Sequence, residues 1–166
     1  MKTLILFILI ALKGLGQTPI KKVQPRFATL KYAGKYSIMT DIEKESVRVI
    51  TIYPASDTSI LFYFEGYRKA PYYKSGALYG WVQIKGDSGT FFKQVNDNDA
   101  GCKINFRFRK SGLILTSISE GYCGFGFGVY PDGKYARVSK KHWSYFTDRA
   151  GTEVYFDKVK PEEYVE

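Results

Sequence analysis

The stretch between residues 66 and 75 combines the residue types that could recognise an anionic ligand. It reads Gly-Tyr-Arg-Lys-Ala-Pro-Tyr-Tyr-Lys-Ser, and a tryptophan follows shortly after it. Cationic side chains attract phosphate, sulfate and carboxylate groups, and aromatic faces add contact area for a sugar or a protein partner. We predict a ligand-binding loop here; the alternative is a solvated loop whose tyrosines cover the edge of the core. The residues assigned to the site are Arg68, Lys69, Tyr72, Tyr73, Lys74 and Trp81.

The rest of the sequence offers little for catalysis. A nucleophile needs a base within hydrogen-bond reach, but His142 is the only histidine and no nucleophile motif accompanies it. Asp97 and Asp99 do not have the spacing of a calcium-binding loop, and their neighbours suit a polar turn. We therefore predict a protein that is not an enzyme and that requires no metal ion or other cofactor.

Two cysteines, Cys102 and Cys123, complete the set of reactive side chains. An even number of cysteines in an exported protein indicates a disulfide. The bond would close a loop of about 20 residues, and the chain-entropy model gives such a bond roughly 3 kcal/mol of stabilisation. We predict a structural disulfide between the two residues, because a metal site would need more ligands.

The first residues predict export. Lys2 precedes an apolar run at 4–12, and Gly-Leu-Gly at 14–16 offers small residues before a cleavage at Gln17. The run is far shorter than the roughly 20 residues that a transmembrane helix needs. We predict a signal peptide at 1–16, a mature chain without a transmembrane segment, and a location in the periplasm or outside the cell. Its removal takes away two lysines and no acidic residue, so the formal charge falls from +9 to +7.

From Phe27 onwards the chain alternates apolar and polar residues between recurring turn residues, which is typical of an antiparallel all-β domain. We predict a tether at 17–26, one β domain at 27–160 without an internal repeat, and an acidic tail at 161–166. The domain should be a single antiparallel barrel or a two-sheet sandwich of about eight to ten strands. The clearest predicted strands are Lys35–Thr40, Val47–Tyr53, Ser59–Tyr67, Leu78–Lys85, Thr90–Val95, Cys102–Arg109, Leu113–Ser119, Tyr135–Val138 and Thr152–Val159, with a short helical turn at Lys140–Phe146.

A glycine-rich segment lies at the centre of the predicted fold. Its apolar residues Cys123, Phe125, Phe127 and Val129 alternate with the glycines Gly124, Gly126 and Gly128. In an extended strand the glycines would share one face, and we predict that another part of the backbone approaches that face closely. The alternative is an open groove for a ligand. Asp132 and Gly133 then supply a turn into a strand that contains Tyr135.

A second basic row follows the strand that begins at Cys102. Lys103, Arg107 and Arg109 alternate with apolar residues, so they should face solvent. We predict that Arg137 extends this row from a neighbouring strand. Nucleic-acid binding is one use of such a row, but export argues against it, and a charged outer face of the sheet is the ordinary explanation.

These segments resemble a pattern in small exported bacterial β-barrel proteins of unassigned function. The pattern is a cysteine-led alternating strand at 102–108, Cys-Gly-Phe-Gly at 123–126 and Gly-Val-x-x-Asp-Gly-x-Tyr at 128–135. Ala-Gly-Lys-Tyr at 33–36 is similar to the first-strand signature of such barrels. The resemblance implies a fold rather than an activity. Some domains of this kind resemble parts of lysozyme-inhibitor-like proteins.

The prediction that joins these observations is a non-enzymatic exported binding domain. Its partner at the cell surface would be an anionic glycan, a lipid headgroup or a protein, because the mature chain is cationic. Two alternatives stay open: an inhibitor of a cell-wall hydrolase, and a structural exported domain. An inhibitor has an electrostatic difficulty, because lysozyme-like hydrolases are commonly basic and would repel a cationic partner. The sequence specifies no oligomeric state.

Overall fold

The computed structural model describes residues 27–39, 47–69, 73–94, 100–118, 123–125 and 129–165. Within them, Ala28–Tyr32 form a 3₁₀ helix, and all other regular elements are β-strands. The strands are β1 (Gly34–Met39), β2 (Val47–Pro54), β3 (Ser59–Tyr67), β4 (Ser75–Lys85), β5 (Ser88–Lys93), β6 (Cys102–Arg109), β7 (Gly112–Ser117), β8 (Gly133–Ser139), β9 (Tyr145–Thr147) and β10 (Glu153–Tyr155). The all-β prediction is confirmed.

Strands β1 to β8 form a closed antiparallel barrel in which each strand pairs with its neighbours in sequence. The barrel closes where β8 pairs with β1, for example Arg137 opposite Tyr36. The register shifts between Lys35 and Tyr36, and such an irregularity bends a strand and increases its local twist. Of the two architectures that the sequence left open, the barrel is the one observed.

The barrel interior is filled by side chains, for which the interior of an eight-stranded barrel is just wide enough. Inward residues of β3 and β6 meet there, with the rings of Phe62 and Phe106 4.8 Å apart. At one end, the ring of Tyr32 from the 3₁₀ helix stacks on Phe108 at 4.0 Å. The inward residues of β2, Ile50 and Ile52, have no solvent exposure. The interior is therefore a packed hydrophobic core.

A second core lies on the outside of the barrel, over β3 and β4. The ring of Tyr63 stacks on Phe146 at 3.9 Å, and the hydroxyl of Tyr79 donates a hydrogen bond to the carbonyl of Val159. The C-terminal segment, residues 140–165, thus covers the outer faces of these strands. Tyr164 from the predicted acidic tail also packs there, 5.6 Å from the Tyr79 ring.

The prediction for residues 140–159 is wrong in two respects. The helical turn at 140–146 is absent, because Tyr145–Thr147 pair with Glu153–Tyr155 as a small separate sheet. The predicted closing strand ends at Tyr155, where a turn follows. The physical reason is that Phe146, Val154 and Phe156 must all reach the outer core, which a hairpin allows.

Several strand ends also differ from their predicted positions. The β4–β5 turn consists of Gly86 and Asp87 alone, so β5 begins at Ser88 rather than Thr90. Strand β7 begins at Gly112 rather than at the predicted Leu113, because Gly112 pairs with Arg109 across the β6–β7 turn. The strand predicted to end at Ser119 ends at Ser117, and residue 119 lies outside the described residues.

The tripeptide Gly-Lys-Tyr opens both strands that close the barrel, at 34–36 in β1 and at 133–135 in β8. Each glycine has a positive φ, +140° and +145°, and each tyrosine is buried. Tyr36 donates a hydrogen bond to the Tyr32 carbonyl at 2.8 Å, and Tyr135 donates to the Pro131 carbonyl at 2.6 Å. Because β1 and β8 are antiparallel, the two corners lie at opposite ends of the barrel. A repeat of three residues is too short to stand out in the sequence.

These buried tyrosines predict a loss of stability in alkali. Burial raises the pKa of Tyr36 from its ordinary value of 10.0 to about 12, and it also raises the pKa of Tyr135. The unfolded chain therefore ionises first, so the contribution is complete below pH 10 and is lost as the pH rises towards 12. The slope is up to about 1.4 kcal/mol per pH unit for each such tyrosine.

We expect urea unfolding to show a clear decrease in the free energy of unfolding between pH 9 and pH 11.5. The same series on Tyr36→Phe should give a shallower pH dependence, because one of the titrating groups is gone. A free energy of unfolding that does not change over this range would contradict the prediction.

Candidate anion-binding surface

Strands β4 to β8 carry seven basic residues and no acidic residue. In β6 the apolar residues are buried and Lys103, Arg107 and Arg109 are exposed, as predicted from their alternation. Lys134 of β8 and Lys85 at the end of β4 also face solvent. We call the outer faces of β5–β8, together with Lys85, the basic wall.

The register of the sheet aligns three cations of the basic wall in one row across five strands. Lys85 pairs with Ser88, Ser88 with Arg107, Arg107 with Ile114, and Ile114 with Lys134. Neighbouring strands lie about 4.8 Å apart, so the three cations follow one another at intervals of roughly 10 Å.

Two shallow depressions lie along this row, and residues of the row line both of them. One, of about 490 Å³, lies over β5 and β6 and is lined by Lys85, Asp87 and Arg107 among others. The other, of about 380 Å³, lies over β7 and β8 and includes Arg109 and Lys134 in its lining. Cations in both depressions give the wall two places where an anionic group could sit.

The two sides of the molecule differ in net charge. The C-terminal segment covers the outer faces of β3 and β4 on the other side of the barrel. It carries five acidic and five basic residues, so its formal charges balance: Asp148, Glu153, Asp157, Glu162 and Glu163 against Lys140, Lys141, Arg149, Lys158 and Lys160. The strands of the basic wall contain no carboxylate that would reduce the positive potential of their cations. These cations therefore add up to one electropositive field.

The structure keeps the described loop residues Arg68, Lys69, Tyr73 and Lys74 together at one end of the β3–β4 hairpin. Tyr73 is 78% exposed, and the Arg68 amide donates a hydrogen bond of 2.7 Å to the Lys74 carbonyl at the base of the loop. Lys69 and Lys74 are also exposed, whereas Tyr72 lies outside the described residues.

Trp81 does not belong to that loop. The β3–β4 register places Tyr67 opposite Ser75 beside the loop, and Leu61 opposite Trp81 six pairs further along. At about 3.3 Å per residue, Trp81 is roughly 20 Å from the loop. The long β3–β4 hairpin is the reason for this separation, and the sequence spacing alone did not reveal it.

Arg137 was wrongly placed on the outer basic row. It has the same parity along β8 as the buried Tyr135, so its side chain points inward. Its guanidinium donates to the Ala33 carbonyl and lies 5.6 Å from the ring of Tyr36. Lys134 takes the outward position opposite Ile114 instead. The parity shared with Tyr135 was the signal that sequence reasoning missed.

The described residues of the glycine-rich segment do not form the strand that its alternation predicted. Residues 123–125 are irregular, and Gly124 has a φ of +84° with no atom within 4 Å of the position of a Cβ. The predicted close approach is therefore wrong at Gly124. Gly126, Phe127 and Gly128 lie outside the described residues.

The described apolar residues of this segment, at 123, 125 and 129, pack in or against the barrel core. Phe125 is buried with its ring 5.2 Å from Phe64, and Val129 is buried as well. A disulfide joins Cys123 to Cys102, which confirms the predicted pair. The bond holds residues 123–125, which we call the plug, against the start of β6.

Asp132 attaches the residues just before β8 to two other strands of the barrel by hydrogen bonds. Its two carboxylate oxygens accept hydrogen bonds from the amide and the hydroxyl of Ser117 in β7, both at 2.7 Å. Its carbonyl accepts a bond from the guanidinium of Arg48 in β2. Gly133 follows in a conformation that favours glycine. The Asp-Gly-x-Tyr motif thus connects three strands of the barrel.

Other chemistry has little support among the residues that the structure describes. They contain no group of three histidine, cysteine, aspartate or glutamate side chains that could hold a metal ion. His142 stacks on Tyr53 with ring centroids 4.9 Å apart, and burial lowers its pKa. None of the described helical residues form a helix that is long and apolar enough to cross a membrane.

Comparisons with protein-family models, with curated proteins and with solved structures found no match to this chain. The fold and the surface therefore define its class: a closed eight-stranded antiparallel barrel with a covered side and a basic side. The resemblance to small exported bacterial barrels stays a prediction.

Proposed function

We propose that this protein is a non-enzymatic exported domain that binds an anionic polymer at the cell surface through its basic wall. The observation that supports this most is the row Lys85, Arg107 and Lys134, on strands that carry no acidic residue. An acidic glycan is the ligand class that best suits an exported domain of this charge.

The shape of the molecule favours an extended ligand over a small one. The barrel interior is occupied by its own side chains, and both depressions of the basic wall are open surface features. Cations repeated at roughly 10 Å can contact successive anionic groups of one chain. Several weak contacts along a polymer then add up to useful affinity.

The electrostatic origin of the binding predicts a steep salt dependence. We expect the mature protein to bind polygalacturonate at 20 mM salt, and to lose at least tenfold in affinity at 200 mM salt, because screening shortens the range of the attraction. Isothermal titration calorimetry can measure both values. Uncharged dextran should not bind, and phosphatidylglycerol vesicles should bind more weakly than the polymer.

Charge-reversal variants test the location of the site. Arg107→Glu with Lys134→Glu should lower the affinity at least tenfold. Lys158→Glu with Lys160→Glu makes the same change of charge on the C-terminal segment and should lower it less than threefold. The absence of binding to any polyanion at low salt would overturn the proposal, and so would equal losses in the two variants.

The predicted loop supplies a further comparison. If Arg68→Ala with Lys69→Ala weakens binding while the wall variant does not, the site is the loop and the assignment to the basic wall is wrong.

A further inference from the structure

Two large aromatic side chains are half exposed beside the basic wall. Trp81 of β4 is 50% exposed and Phe92 of β5 is 52% exposed. Exposed aromatic residues that cluster on the surface of a soluble protein commonly mark a binding site. We call this pair the aromatic edge.

The aromatic edge borders a small depression of about 200 Å³. Tyr79, Lys93, Pro161 and Glu162 also contribute to its lining. Pockets for drug-sized ligands are larger, roughly 300–1,000 Å³. The depression therefore has room for a single ring rather than for a large cofactor.

The end of the outer core explains why the Trp81 ring remains exposed. Tyr79, two residues before Trp81, is 3% exposed because the C-terminal segment covers it. That cover reaches the depression at Pro161 and Glu162. Trp81 lies on the same outward face of β4 but beyond the cover, so its ring stays half exposed.

The aromatic edge is continuous with the basic wall. Phe92 is the direct cross-strand neighbour of Lys103, whose ammonium lies 5.3 Å from the centre of the Phe92 ring. Lys93 is exposed at the end of the same strand. A ligand that lies on the aromatic edge would therefore place its next charged group against a cation of the wall.

The chemistry of this place fits a sugar ring. The apolar face of a pyranose can lie on an aromatic ring, while its hydroxyls bond to polar groups around the rim. Of the lining residues, Glu162 offers a carboxylate that can accept hydrogen bonds from hydroxyls, and Lys93 offers an ammonium that can donate them. The neighbouring Lys103 adds a site for a carboxylate or sulfate carried by the sugar.

We propose that Trp81 and Phe92 form a sugar-stacking subsite at the end of the basic wall, and that the ligand is an acidic polysaccharide. This inference rests on the proposed function, since it assumes that the wall binds a polyanion. The sugar subsite adds a ligand class to the proposed function, because charge alone does not distinguish a polysaccharide from other polyanions.

The experiment compares two polymers that both carry carboxylates, polygalacturonate with sugar rings and polyglutamate without them. At equal carboxylate concentration and low salt, the wild-type protein should bind polygalacturonate at least tenfold more tightly. Trp81→Ala with Phe92→Ala should remove this preference and leave the affinity for polyglutamate within threefold of wild type. Tyr130→Ala, which removes an exposed ring elsewhere, should keep the preference.

Each result decides between the two proposals. Failure of the wild type to bind either polymer would overturn the proposed function. Binding of both polymers with equal affinity, or a preference that persists in Trp81→Ala with Phe92→Ala, would overturn the sugar subsite alone. Single-stranded oligodeoxythymidine is the third probe, because bases also stack on aromatic rings. Tighter binding of this oligonucleotide, dependent on Trp81, would overturn the sugar assignment.

Discussion

Replacing Gly34 by alanine is expected to lower the free energy of unfolding by about 2–6 kcal/mol, the sum of two costs. The residue has a φ of +140°, which side chains other than glycine rarely adopt. A Cβ at this position would also collide with the backbone carbonyl of Ser139 in β8. That carbonyl cannot move without disturbing the β1–β8 pairing that closes the barrel. For a domain of this size the loss is a fall in melting temperature on the order of 10 °C.

Gly86→Ala is the matched control for this prediction. Gly86 also has a positive φ, +66°, but a Cβ there would have no atom within 4 Å. Its cost is therefore the conformational one alone, about 1 kcal/mol. Thermal unfolding followed by circular dichroism compares the two variants with wild type. If Gly34→Ala and Gly86→Ala melt at the same temperature, the contact between a Cβ at Gly34 and the Ser139 carbonyl does not lower stability, and the prediction is wrong.

Removing the disulfide is the second change with a large expected effect. Cys102→Ala with Cys123→Ala frees a loop with a sequence separation of 21 residues, and the chain-entropy model gives a loss of roughly 3 kcal/mol. The change also releases the segment that holds Phe125 in the barrel core, where a Cβ on Gly76 would lie 2.8 Å from the Phe125 ring. Urea unfolding at pH 7 measures the loss.

Reduction provides an independent control for this variant. Wild-type protein in dithiothreitol should become as unstable as the double variant, whereas the double variant should not respond to the reductant. A double variant that loses less than about 1 kcal/mol would show that the plug stays in place without its covalent link, since that value is well below the expected range.

The sequence is a good guide wherever a property depends on neighbours along the chain. Alternation of Lys103, Arg107 and Arg109 with apolar residues correctly predicts which side of β6 faces water. The glycine-bearing turn between β4 and β5 is likewise visible in the sequence. An even count of two cysteines predicts the observed bond. Each of these follows from the period of two in a strand, from turn chemistry or from pairing by elimination.

The alternation of apolar and polar residues was a less reliable guide to burial where a distant segment covers the outer face of a strand. Tyr63 and Tyr79 lie on the outer faces of β3 and β4, and a tyrosine suits either a wet or a buried position. Their burial depends on Phe146 and on the rest of the C-terminal segment, more than 60 residues further along. The grouping of Trp81 with the loop failed for a related reason, since proximity in sequence becomes roughly 20 Å along an extended hairpin.

The amino-acid sequence by itself determined the approximate positions of strands β1 to β8, the disulfide and the cationic character of this protein, because these are local or compositional properties. Only the tertiary structure decided between barrel and sandwich, since closure depends on pairs such as Tyr36 and Arg137, far apart in the chain. It also decided the candidate site. Cations from β4, β6 and β8 form one row only when the strand registers are set, and registers arise from contacts between strands rather than within them.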